Sequence, residues 1–184
     1  MAKLSTAGWV AHNVGLSACL GGLLFGKLAL NPNLQVLSDK SERGKVLNTT
    51  WNRYNAVNAA SLGTAAVTWF VGRAGISGDV IDEEARGYVL AKDVLFVASA
   101  LSGLASIVAG RRLTAQAPDG AVPIESGTEP ATETPDEAAG LLRTVNQLGN
   151  LNIVLITAII AVTTILSQKA GQSTKWSAAS RFLP

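Results

Sequence analysis

Asparagine supplies the densest polar chemistry in this chain. Asn48, Asn52, Asn55 and Asn58 follow one another at spacings of four, three and three, which puts them on one broad face of a helix. Asn146 and Asn150 repeat the four-residue step further on. A carboxamide both donates and accepts, so a face of amides can hydrogen-bond a ligand or fix the register of neighbouring helices. It is neutral, so it binds and orients without acting as a general acid or base. Asn52, Asn55, Asn58, Asn146 and Asn150 are therefore candidate ligand-binding residues.

Two ionisable positions join them. His12 is the single histidine of the chain, enough for one ligand bond or one titrating group but too few for a bis-histidine haem. Asp93, preceded by Lys92, opens an apolar stretch, and a carboxylate within hydrocarbon must pair. His12 and Asp93 fall on the same membrane side of the expected layout, so a His12–Asp93 pair is geometrically possible. The acidic run Asp79, Asp82, Glu83 and Glu84 lacks the alternating oxygen spacing of a calcium loop. No Gly-rich phosphate loop, Ser/His/Asp set or thiolate pair occurs, so no catalytic residue, metal or cofactor is assigned. Cys19 is the lone thiol.

The elements that carry these residues are apolar and long. Of 184 residues, 48% are hydrophobic and only 15% charged, a deficit that points to lipid. The net charge of +2 gives no footing for nucleic acid. Spans are expected near Val10–Leu30, Ala56–Val71, Val94–Gly110 and Leu151–Leu166. The first is read as a retained span rather than a cleaved signal, because His12 and Asn13 interrupt the run. Asn31-Pro32-Asn33 is expected to stop it. The second helix begins in the polar stretch Ser38–Glu42 and reaches Val71. The fourth is expected from Pro135 to about Gln168, with Thr134 as its N-cap. Both should project beyond the bilayer. Thr114–Thr134, rich in Pro, Glu, Thr and Ala, is expected to be a disordered loop, and 169–184 a polar-basic tail with Trp176 and Phe182 as interface anchors.

Ala18, Gly22 and Gly26 recur every fourth residue in the first span, and Ala98, Ser102 and Ser106 in the third. Such small-residue faces let helices approach closely in lipid. Lys27 is read as snorkelling to the headgroups. Leu47–Asn52 also matches Leu141–Asn146 in register, and the match reaches Asn58 and Asn152. The pattern reads as two tandem helical hairpins. Charge near the first helix favours a cytoplasmic side for the first and third loops, with both termini outside.

The run His12-Asn13-Val14-Gly15-Leu16, then Gly21-Gly22 and Trp51-Asn52-Arg53-Tyr54-Asn55, resembles small bacterial four-span membrane families of unknown function. That resemblance implies a multi-pass protein of a bacterial inner membrane and no particular activity. The expectation is thus an all-α, four-transmembrane-helix bundle in a single membrane domain. Its leading role is a non-enzymatic accessory protein, forming a homo-oligomer or membrane-protein complex through its small-residue faces. The alternatives are a small-molecule binder or transporter with an Asn-lined cavity, and an enzyme on a lipid-like or quinone-like substrate.

Overall fold

The computed structural model describes residues 2–74 and 83–172. Asp79 and Asp82 of the acidic run, and Trp176 and Phe182 of the tail, lie outside the described residues. Within them the chain is helical, with four long helices: α1 (Ala2–Phe25), α2 (Lys40–Ala74), α3 (Glu83–Thr114) and α4 (Asp136–Gln172). The only extended pairing among the described residues is one antiparallel bridge, Ile124 to Pro130.

Local chemistry sets the helix ends. Asp39 caps α2, its Oδ1 accepting the Ser41 and Glu42 amides at 2.7 and 2.9 Å. At α4 the expected cap differs. The Pro135 carbonyl takes the Ala139 amide at 2.9 Å, whereas the Thr134 hydroxyl donates to the Pro123 carbonyl at 2.6 Å. Thr134 thus ties down the preceding loop.

Pro32 does not stop the first helix. Without an N–H it cannot donate to the Leu28 carbonyl four residues back. The chain widens instead into a π-helical turn over Gly26–Leu30, in which the Asn31 amide reaches the Gly26 carbonyl. One further turn over Asn31–Asn33 and a 3-10 turn over Leu34–Val36 follow.

Three helical stretches are long and apolar enough to cross a membrane: Thr6–Val36, Ala85–Thr114 and Asp136–Lys169. Only 22% of the most apolar part of each is buried inside the protein. The remainder faces outward, and Leu28, Leu90, Leu101 and Leu104 are each at least 60% exposed. Apolar surface on that scale calls for hydrocarbon rather than water as solvent. The second helix, with its polar first half and short apolar end, is not among the three.

The chain divides into two compact units. The first holds Met1–Leu20, Ala59–Ala100 and Val154–Pro184. Its core joins Leu16 and Cys19 of α1, Trp69 of α2, Phe96 of α3 and Ile156 and Ile159 of α4. The second holds Gly21–Asn58 and Leu101–Ile153. There Leu34, Leu47, Leu113, Val122, Ile124, Ala138 and Leu142 form one buried cluster.

Val122 and Ile124 belong to the segment expected to be disordered, and the structure gives that segment definite contacts. The Ile124 amide donates to the Lys40 carbonyl at 3.1 Å and the Gly127 amide to the Asn31 carbonyl at 3.0 Å. The Arg43 guanidinium donates to the Leu37 and Glu125 carbonyls at 2.8 and 2.9 Å. Asp119 and Gly120 take left-handed backbone angles, with φ of 55° and 68°, which turns the chain back over the helix ends. Composition undercounts such a loop, because two buried aliphatics and backbone bonds to helix ends offset its ordering entropy.

Candidate functional site

A cavity of about 100 Å³ lies wholly within the second unit. Four helical segments line it. Leu23, Lys27 and Asn31 come from the first helix and its π-turn, and Asn48, Trp51, Asn52, Asn55 and Asn58 from α2. Gly103, Ser106, Ile107 and Gly110 come from α3, and Asn146, Gly149, Asn150 and Asn152 from α4. Gly127 of the 114–134 loop also reaches it. All five asparagines expected to bind a ligand therefore line one cavity, with three more beside them.

The amides divide into two groups. Four are held. Asn48 Nδ2 donates to the Gly120 carbonyl at 2.7 Å, and Asn31 Oδ1 accepts the Trp51 indole N–H at 3.2 Å. Asn152 Nδ2 donates to Ser102 Oγ at 3.2 Å, and Asn150 Oδ1 accepts from the Lys27 ammonium. Asn52, Asn55 and Asn146 have no side-chain hydrogen bond among the described residues. The held amides shape the wall, and the other three leave donors and acceptors for an occupant.

The α1 ladder explains how the helices come close enough to enclose this space. A side chain at Gly22 would collide with the Tyr54 ring, and one at Gly26 with the Trp51 ring. The two rings pack edge to face, with centroids 5.7 Å apart. Gly22 and Gly26 thus contact α2 of their own chain, while Ala18 is exposed and Ala98 half-buried. Ser102 is buried on Asn152, and Ser106 lines the cavity.

His12 and Asp93 lie in the first unit, where each is engaged separately. His12 is fully buried, and its Nδ1 lies 2.8 Å from the Ala65 carbonyl and 3.2 Å from Thr68 Oγ1. Its ring meets Phe96 edge-on at 5.9 Å. Asp93 instead accepts the Trp69 indole N–H at 2.7 Å and pairs with Arg73 at 3.0 Å. Lys92 is also fully buried, its ammonium 3.9 Å above the Trp69 ring. Asp93 finds its charge partner on α2, and the structure gives no direct His12–Asp93 bond.

Lys27, Asn31 and Trp51 are site residues that the sequence pattern alone did not assign. The available signal was spacing: Lys27 precedes Asn31 by four residues, so both fall on one face. A lysine near a span end is ordinarily satisfied by headgroups, which conceals an inward-facing one.

Among the described residues no cluster of His, Cys, Asp or Glu is arranged to hold a metal ion. No protein-family model, curated protein or solved structure matches this chain.

Proposed function

We propose that this chain is a multi-pass integral protein of a bacterial inner membrane that binds a small molecule in its asparagine-lined cavity and does no chemistry on it. The observation that carries this reading is the convergence of eight asparagines on one cavity, three of them without a side-chain hydrogen bond among the described residues. Asn52 is exposed and Asn55 and Asn146 are half-buried, so their amides are open to the cavity, and a row of such donors and acceptors suits an occupant. The bacterial setting rests on the resemblance alone. The accessory role draws less support, because Gly22 and Gly26 are taken up by Tyr54 and Trp51 within the chain.

The tandem-hairpin reading, with α2 as a fourth span, belongs to this proposal. Aligning Leu47 with Leu141 pairs Asn48 with Leu142, Trp51 with Val145, Asn52 with Asn146, Asn55 with Gly149 and Asn58 with Asn152. Both members of each of these pairs line the cavity. A duplicated hairpin whose copies face one another across a ligand would produce that correspondence.

The test is native mass spectrometry of the protein released from its own membrane. A bound non-lipid mass is expected in the parent and should be lost in Asn52→Leu and Asn146→Leu, with helical circular dichroism unchanged. An adduct equally present in both variants would overturn the proposal.

A further inference from the structure

The cavity carries one charge and nothing to neutralise it. Lys27 is the single ionisable side chain on its wall, and among the described residues it forms no ion pair with a carboxylate. Its ammonium donates to Asn150 Oδ1, which occupies one of three N–H donors. Lys27 is half-buried, and an ammonium there keeps donors free for an anion that reaches it. The π-turn begins at Gly26, so Lys27 sits where α1 departs from regular geometry, a distortion frequent at functional sites.

The internal repeat sharpens this. Aligning the small-residue ladders Ala18/Gly22/Gly26 and Ala98/Ser102/Ser106 puts Ile107 at the position of Lys27, and both residues line the cavity. One copy of the hairpin thus presents a cation where the other presents a branched aliphatic. An occupant that satisfies both has a negative end and an apolar body.

We infer that the cavity takes a small organic oxyanion, its charged group on Lys27 with amide donors beside it and its apolar part toward Ile107 and Val145. This rests on the ligand-binding reading above and specifies the class of ligand. A charge-assisted hydrogen bond is about twice as strong as a neutral one, so discrimination of an acid from its isosteric amide should reach about tenfold. At about 100 Å³ the cavity is smaller than the roughly 150 Å³ engineered cavities that take benzene, so it favours the shorter acids.

The experiment is calorimetric titration of the full chain in phosphatidylcholine nanodiscs with three acid–amide pairs: acetate and acetamide, butyrate and butyramide, benzoate and benzamide. At least one acid is expected to bind about tenfold tighter than its amide. Lys27→Met should bring that ratio to about one, and Lys27→Arg should keep it above one. Equal binding of acid and amide by the parent would overturn the inference while leaving the cavity a binding site. No binding of any pair would overturn both. A second arm adds phosphatidylglycerol to the discs. Loss of acid binding there, dependent on Lys27, would identify a lipid phosphate as the oxyanion on the same ammonium.

Discussion

At the scale of single residues, His12 makes the sharpest statement. A backbone carbonyl only accepts, so the 2.8 Å contact with Ala65 fixes a hydrogen on Nδ1 of His12. The other ring nitrogen, Nε2, is buried and has no hydrogen-bond partner among the described residues. Because this is the only imidazole in the chain, nitrogen-15 labelling of histidine gives an unobstructed reading. The expected spectrum has a protonated Nδ1 and a slowly exchanging proton on it. A spectrum with the proton on Nε2 alone would contradict the geometry. The Ala65→Gly variant retains the carbonyl and should leave this pattern unchanged.

At the scale of elements, the contact between α1 and α2 depends on absent side chains. Gly22→Leu forces a branched side chain into the Tyr54 ring and should cost about 1–3 kcal/mol, read as a lowered unfolding midpoint in detergent. Tyr54→Ala removes the obstacle, so the double variant should be less destabilised than the sum of the two single changes. Strict additivity would mean that the contact is not there. The long helices, three of the four expected apolar spans and the asparagine face of α2 were legible in the sequence, because periodicity and apolar run length report on how a helix is solvated. The 114–134 loop was not. Its Pro, Glu and Thr content gives no hint that Val122 and Ile124 enter a core with Leu34 and Leu47, which lie far away in sequence. The separation of His12 from Asp93 was equally hidden. Asp93 is drawn to Arg73 and Trp69, and helix order alone does not predict that choice. The cavity itself was half legible, since its amides were visible whereas its lysine looked like an ordinary interface residue.

At the scale of the whole molecule, membrane-compatible helices are joined to a loop held by charge. Lys40 pairs with Glu133 at 3.1 Å and with Glu125 at 3.4 Å. The bonds from Glu133 and Glu125 hold the Lys40 ammonium above its ordinary pKa. The Glu133 backbone N–H, and then Lys40, hold the Glu133 carboxyl below its own. A depressed carboxylate contributes stability above its unfolded pKa and loses it as the pH falls through the folded value. A raised ammonium contributes below its unfolded pKa and loses it as the pH rises through the folded one. Attachment of the loop should therefore be firm across neutral pH and loosen at both extremes. Exchange of the Ile124 amide, bonded to the Lys40 carbonyl, should speed up as the pH falls below the ordinary glutamate range, after correction for the intrinsic rate. Glu133→Gln should remove most of that acid response. An identical acid response in this variant would show that other carboxylates govern the loop. Both groups are solvent-exposed, so the effect should be modest and fade with added salt.

The widened turn at Gly26–Leu30 sets two residues of the first helix against one side chain of α2. Trp51 is touched twice by the first helix, by Gly26 against its ring and by Asn31 at its indole nitrogen. Regular winding advances about 100° per residue, so it would carry one of these two residues around the cylinder and away from the indole. The surplus residue lets a single tryptophan be clasped from both sides. Shortening the chain there by one position would force the protein to give up one grip or the other.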